Sequence, residues 1–400
     1  MRQSGIGYGC FIKGKNGPLW TVGYQDITKY DGLGNIVWCK TISTTTESYS
    51  CTVDHLDNLL VGHYRYFAVS KFDTNGDLLW YKRFDTNVSS AIKSITVDNS
   101  GCIYVSGQLS TAVGVVMKLD PNGTLLWSVS SAAISHDNIT YEFYSDTVTV
   151  VSTIGTVSPF SAAMINFSAA TGVVNWERTF TPAAGTTDIV AGTVSADAAG
   201  NIYATFGQNS STLGGYTCAV YKYSSAGTLL WSKYYVNSVA ISISFGYPTI
   251  TTPDTNTTEA YLSIYSSAAG GSASGFVKID SANGNILTNI KVTPQSGGNT
   301  LLYSHVASDG TIALRSTGTL GIIKIPSDGS ITGTFNSEGL TPSNFLTIGA
   351  GTFTTGTIAN ITVGTTNTHA HAAAGLALQA GSIPLLAASI SNNLAVCYIR

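Results

Sequence analysis

The stretch Lys118 to Trp127, KLDPNGTLLW, carries the pattern on which the fold turns. It reads as a strand closing on Lys-Leu-Asp, a turn Asp-x-x-Gly, and a second strand opening on Leu-Leu-Trp. The turn has a mechanism: Asp at position i caps the bend, and Gly takes the φ > 0 position that closes a bulged hairpin. Close copies stand at Lys29–Trp38 (KYDGLGNIVW), Lys71–Trp80 (KFDTNGDLLW) and Lys222–Trp231 (KYSSAGTLLW). Three weaker copies fill the gaps. Asn166–Trp176 (NFSAATGVVNW) has one extra residue, Lys278–Leu287 (KIDSANGNIL) lacks the Trp, and Lys324–Thr332 (KIPSDGSIT) lacks both the Trp and the strand-starting Asp. Their first residues step by 42, 47, 48, 56, 56 and 46 positions, so the chain is a repeat architecture.

The flanks complete the unit. Upstream of the decapeptide a second pattern recurs, as SITVDNSGCIYVSG at Ser94–Gly107 and TVSADAAGNIYATFG at Thr193–Gly207. Each repeat therefore holds four strands, A to D; in the third copy these are SITVD, CIYVSG, GVVMKLD and TLLWSVS. Four strands at this period predict an all-β, seven-bladed propeller over residues 1–335. Its first A strand falls near Gly7–Ile12 and its last D strand ends near Phe335, so the ring closes without a borrowed strand. Trp38, Trp80, Trp127, Trp176 and Trp231 are expected as structural wedges, because every blade buries both faces against its neighbours. Residues 336–400 fall outside the seven-fold pattern and read as a C-terminal assembly or docking segment, with a degenerate eighth blade as the alternative. Strand-like runs lie at Phe345–Ile348, Ile358–Val363 and Leu394–Ile399, and Ala370–Ala380 is a candidate short helix weakened by Gly375.

Composition agrees. Only 10% of the 400 residues are charged and 44% are hydrophobic, so the solvent faces rest on Ser, Thr, Asn and Gly. Helical bundles and coiled coils need charged faces and are excluded. Disorder is excluded by 6 Trp, 21 Tyr and 14 Phe. A net charge of −3 without any Lys/Arg-rich run argues against nucleic acid. Met1–Tyr30 lacks the apolar stretch of a secretory signal, which predicts no export by the general secretory route unless a leader has been removed. No run reaches 18 apolar residues, so no membrane insertion is expected. The six cysteines have no metal spacing and read mostly as buried free thiols.

The run D-x-x-G-N-I-Y-V-x-G followed by K-x-D-x-x-G-x-L-L-W resembles the seven-bead and quinoprotein-like repeats of β-propeller proteins. In its lack of an export signal and its Ser, Thr and Gly content, the chain also resembles bacteriophage tail-associated propellers. Propellers host enzymes, sugar binders and scaffolds alike. The resemblance to quinoproteins implies a calcium site, an Asp base and a vicinal disulfide. No adjacent Cys pair exists here, and Asp31, Asp73, Asp120 and Asp280 read as turn residues. A sialidase-like propeller implies three arginines, a Tyr nucleophile with Glu, and an acid Asp. Arg2, Arg65, Arg83, Arg178, Arg315 and Arg400 supply the number, but the Ser-x-Asp-x-Gly-x-x-Trp box is absent, and Glu142 and Glu177 are expected in surface salt bridges. No nucleophile elbow or phosphate loop occurs.

Two local features invite a ligand. In Thr368-His369-Ala370-His371 an extended backbone puts His369 and His371 on one side. Three copies on an axis would then gather six imidazoles, a set suited to iron or another transition metal; two solvated histidines in a polar segment are the plainer reading. Insertions at Thr181–Thr193, Gly207–Thr217 and Ser266–Gly275 lengthen what the pattern assigns as loops on one end of the ring, with Pro248–Glu259 on the other. Tyr64, Tyr66 and Tyr216 lie in or beside B–C connections, where a ring can stack on a sugar or simply pack at the rim.

These observations lead to the expectation of a non-enzymatic virion protein. It would be a phage tail or fibre component serving assembly or host attachment, joined to other virion proteins and to copies of itself through residues 336–400. A cell-surface or secreted bacterial carbohydrate-binding adhesin is the second expectation, and a propeller enzyme the third. No resident cofactor is expected apart from the metal that His369 and His371 would allow.

Overall fold

In the computed structural model every regular element among the described residues is a β-strand. The described residues are 10–13, 19–23, 26–31, 36–41, 48–85, 89–109, 113–155, 157–182, 186–210, 215–237, 248–252, 258–268, 271–294, 301–306, 311–316, 322–326, 333–335, 346–350, 353–356, 361–364, 371–373 and 397–398.

Seven sheets correspond to the seven repeats. The first is β1 (Cys10–Lys13), β2 (Leu19–Val22), β3 (Asp26–Tyr30) and β4 (Ile36–Thr41). The second is β5 (Ser48–Val53), β6 (Leu59–His63), β7 (Ala68–Phe72) and β8 (Leu78–Arg83). The third is built on β9 (Ala91–Val97), β10 (Ile103–Leu109), β11 (Val113–Leu119) and β12 (Leu125–Ala132). The fourth follows with β13 (Ile134–Glu142), β14 (Thr147–Ile154), β15 (Ser161–Ser168) and β16 (Val174–Pro182). The fifth has β17 (Thr186–Ala196), β18 (Ile202–Ser210), β19 (Gly215–Tyr223) and β20 (Leu229–Asn237). The sixth has β21 (Thr249–Thr251), β22 (Glu259–Ala268), β23 (Gly271–Asp280) and β24 (Ile286–Pro294), and the seventh β25 (Leu301–Val306), β26 (Thr311–Ser316) and β27 (Ile322–Pro326). Each runs as an antiparallel meander, the expected propeller blade.

Two compact units divide the chain: Met1–Thr156 with Ala163–Arg178 and Thr365–Asn392, and Val157–Ala162 with Thr179–Gly364 and Asn393–Arg400. Within each, buried apolar side chains of one sheet pack against those of the next, as Leu60, Phe67 and Val69 do with Ile92, Val105 and Met117 in the first unit. Dry contact on both blade faces explains how a chain so poor in charge holds together.

The decapeptide has a mechanical explanation. Trp127 Nε1 donates to the Ala169 carbonyl in the next C–D turn at 3.0 Å, and Lys118 Nζ donates to the same oxygen at 3.1 Å. Lys71 and Trp80 share the Pro121 carbonyl, Lys29 and Trp38 that of Thr74, and Lys222 and Trp231 that of Ser281. The turn glycine is required by both backbone and space: Gly172 has φ +73°, and a Cβ there would lie 2.8 Å from Trp127 Cε3. The lysine also meets the A–B turn aspartate of its own blade, Lys71 with Asp54 at 2.9 Å and Lys222 with Asp197 at 3.6 Å. That aspartate in turn caps its bend, as Asp98 Oδ1 does by accepting from the Ser100 and Cys102 amides.

The fourth blade departs from this scheme. Asn166 stands in the lysine position and Glu142 in the aspartate position, both buried. The Glu142 carboxylate accepts from the hydroxyls of Ser145, Thr147 and Thr149 and from Asn166 Nδ2. Burial pushes its carboxyl above the ordinary range. The expected surface salt bridges are thus corrected: Glu142 and Glu177 are 1% and 0% exposed, because the hydroxyl-rich strand pair around Glu142 gives a carboxylate four donors without a cation.

The ends of the chain bring further corrections. The last expected D strand, β28 (Gly333–Phe335), lies in the sixth sheet beside β29 (Leu346–Ala350), not in the seventh. The fourth position of the seventh sheet goes to β33 (Cys397–Tyr398), parallel to β27. The sequence of the seventh repeat lacks the Trp and the strand-starting Asp that mark the close copies. Beyond residue 335 no separate eighth sheet forms among the described residues. Instead β29 adds to β24, β30 (Phe353–Gly356) to β20, β31 (Ile361–Gly364) to β16 and β32 (His371–Ala373) to β12, all antiparallel. A D strand leaves its outer amides and carbonyls open, and a neutral Gly/Thr/Ala-rich segment can pair there. The helix expected from Ala370 meets a strand at its start instead. The insertions thought to be loops also become strand: β18 and β19 pair out to Ser210 and Gly215, and β22 and β23 out to Ala268 and Gly271. Cys51 is disulfide-bonded, against the expectation of free thiols, while Cys39, Cys102 and Cys218 are free.

Candidate binding site on the second blade

The B–C connection of the second blade, Tyr64–Phe67, joins β6 to β7. Tyr66 and Phe67 have φ of 68° and 44°, both left-handed without being glycine. Such a conformation costs a side-chain-bearing residue about 1–2 kcal/mol. Phe67 is fully buried in the apolar cluster with Val69, Phe84 and Ile92, and that burial holds the backbone. Two ladder-like bonds tie the connection to the end of the D strand: the Phe84 amide donates to the Phe67 carbonyl at 3.1 Å, and the Asp85 amide to the Tyr66 carbonyl at 3.0 Å.

The result is a half-buried Tyr66 at the blade's end with Arg83 over its ring, the guanidinium carbon 4.4 Å from the centroid. Arg83 Nε donates to the Asp85 carbonyl at 3.1 Å, which fixes the plane of the fork. The Asp85 carboxylate accepts from the Ser90 hydroxyl. Arg83 forms no ion pair among the described residues, unlike the repeat lysines. Beneath the corner, Tyr81 meets the His63 ring edge-on with centroids 5.9 Å apart. Burial pushes the Tyr81 phenol up to about 12 and holds the His63 imidazole down to about 3, so both are neutral near pH 7. His63 Nε2 is bonded to the Ser70 hydroxyl. The arrangement presents a cation of fixed orientation on an aromatic support with neutral backing.

Of the residues singled out in sequence, Tyr64 and Tyr66 come together on this connection. Tyr216 stands in β19 opposite Asn209, in the other unit, on the extended B–C hairpin. His371 begins β32 and pairs with Ser131, while His369 lies outside the described residues. Trp38, Trp80, Trp127 and Trp231 serve the blade latches. Trp176 carries Arg178 over its ring at 5.3 Å. Asp73, Asp120 and Asp280 cap turns as expected. Sequence reasoning did not connect Arg83 and Asp85 to Tyr66. The available signal was the run Trp80-Tyr-Lys-Arg-Phe-Asp85, the one D strand of the four close copies with adjacent Lys and Arg after its Trp. Among the described residues no three His, Cys, Asp or Glu side chains converge as a metal site.

No protein-family model matches the chain, and no curated protein matches its sequence. Solved structures do. A streptogramin B lyase structure is 13% identical, with 86% of this chain and 93% of that chain covered and a TM-score of 0.51. The Pan2 WD40 domain of Neurospora crassa is 12% identical over 77% of this chain and 86% of its own, with a TM-score of 0.46. A protein of unknown function from Bacteroides caccae is 10% identical over 81% of this chain and 91% of that chain, with a TM-score of 0.40. At such identities the likeness speaks of architecture alone, and the architecture, with its consecutive antiparallel meanders in chain order, is that of a β-propeller repeat protein.

Proposed function

We propose that the chain is a non-enzymatic scaffold of a virion, a component of a bacteriophage tail or fibre that serves assembly and attachment to the host surface. Its repeats are read as the seven-bead or quinoprotein-like kind. The observation that carries the proposal is where the repeat's charges go. Asp54, Asp98 and Asp197 cap A–B turns and meet Lys71, Lys118 and Lys222, which also hold the neighbouring blade's carbonyl. Side chains that would serve acid-base chemistry in an enzyme are occupied in holding blades together.

Assembly is assigned to residues 336–400. There β30, β31 and β32 form the outer edges of three sheets, and the segment carries only Glu338 and Arg400 as formal charges, a combination suited to strand addition by further copies or other virion proteins. A disulfide at Cys51 fits a protein that works in oxidising surroundings outside the cytosol. A second reading, a carbohydrate-binding propeller of a bacterial surface, is favoured by the Tyr66–Arg83 corner. Mass spectrometry of gradient-purified virions and of cell-envelope fractions separates the two. Stoichiometric copies in virions are expected, and recovery only from envelope of uninfected cells refutes the virion role.

A further inference from the structure

We propose that the Tyr66–Arg83 corner binds a carboxylated saccharide, the ring of Tyr66 supporting the sugar and the Arg83 fork taking its carboxylate. The proposal rests on the attachment role above and supplies its ligand class.

Three observations converge on it. The first is the choice of residue at a left-handed position. Of the others that are left-handed without being glycine, Asp57 and Asp146 are of the type that tolerates this conformation, and Ala133 has no side chain beyond Cβ. Phe67 is held there by its burial. Tyr66 has neither reason: it is half-buried, and Gly or Asn would meet its φ of 68° without the steric cost. The strain is therefore attached to the phenol ring itself.

The second is the guanidinium. It is stacked at 4.4 Å on that ring and bonded through Nε to the Asp85 carbonyl, so its orientation is set before any ligand arrives. No carboxylate of the described residues neutralises it, since Asp85, two positions on, turns its carboxylate to Ser90. A fixed planar fork whose terminal amino groups meet no acid among the described residues matches the two oxygens of a carboxylate.

The third is the ring itself. Tyr66 is half-buried at the blade's end beside the guanidinium, and an aromatic face stacks on the C–H face of a pyranose. A bare phosphate would use the cation and leave the ring idle; a neutral sugar would use the ring and leave the cation idle. A hexuronic acid residue uses both.

The test is calorimetric titration of the full chain with a hexuronate tetrasaccharide and with the same tetrasaccharide after reduction of its carboxyl groups. Saturable binding of the first, weakened by added salt, and about ten- to hundredfold weaker binding of the second are expected. Arg83→Gln should lose a similar factor. Tyr66→Asn is the decisive variant: it should melt at or above the wild-type temperature, because Asn accepts the left-handed backbone, and yet lose binding. Equal affinity for the reduced saccharide, no binding of the hexuronate at millimolar concentration, or wild-type affinity in Tyr66→Asn overturns the proposal. Virion proteomics is independent of this titration, so a chain found in virions that ignores hexuronate refutes the ligand class and leaves the scaffold role standing.

Discussion

The shared carbonyl of Ala169 offers a quantitative test of how the blades hold together. Ala169 is fully buried, and its oxygen accepts from Trp127 Nε1 at 3.0 Å and from Lys118 Nζ at 3.1 Å. Trp127→Phe removes one donor and keeps a ring against Gly172. The lost bond is worth about 1 kcal/mol, and the smaller ring forfeits about 1 kcal/mol of contact, so destabilisation of about 2 kcal/mol is expected. Lys118→Met alone should cost about 1 kcal/mol, since the carbonyl keeps Trp127. Together the substitutions leave a buried carbonyl without either donor, and the double variant should exceed the sum of the singles by about 1–2 kcal/mol. Urea denaturation followed by circular dichroism reads the effect as a shift of midpoint at constant slope. Leu126→Thr, at a 53% exposed neighbour, is the control and should stay within about 0.5 kcal/mol. Strict additivity of the two substitutions, or a Trp127→Phe effect no larger than the control's, would falsify the latch.

The buried carboxyl of the fourth blade has a folded pKa raised above 4.5, so its favourable contribution is complete below that value and is lost as pH rises through the folded pKa. Glu142→Gln should therefore raise the melting temperature at pH 8 and lose that advantage at pH 4; an equal difference at both pH values refutes the assignment. His63 behaves in the opposite sense. Its pKa falls from 6.5 to about 3, so stability present above pH 6.5 is lost on acidification toward pH 3, by up to about 1.4 kcal/mol per pH unit. His63→Gln should flatten this part of the melting profile, and an unchanged acid slope counts against it. Truncation after residue 335 strips the added strands from β12, β16, β20 and β24 and removes β33 from the seventh sheet. Lower melting is expected, whereas a truncated chain that melts like the full chain contradicts the pairing.

Much of the blade was legible because its signals are local. Asp-x-x-Gly turns, alternating apolar positions and a recurrent Trp act within about ten residues, and a hairpin needs nothing distant to declare itself. The same reasoning failed where a local pattern had two physical outcomes. Gly207–Thr217 read as a loop because it is rich in Gly, Ser and Thr, yet the paired backbones carry β18 into it as far as Ser210 and begin β19 at Gly215. Glu142 read as a surface acid because nothing in its own segment announces Asn166, which lies 24 residues away and donates to it at 3.2 Å.

The amino-acid sequence by itself determined the blade, its four strands, its seven-fold recurrence and the structural role of the recurrent Trp, since each follows from period, turn chemistry and burial of both faces. Tertiary structure alone decided which carbonyl Lys118 and Trp127 share, where the strands after residue 335 pair, and that Arg83 from the end of one strand lies over Tyr66 from another connection. Those choices join residues that are remote in the chain, and only the packed backbone brings their donors, edges and rings within contact distance.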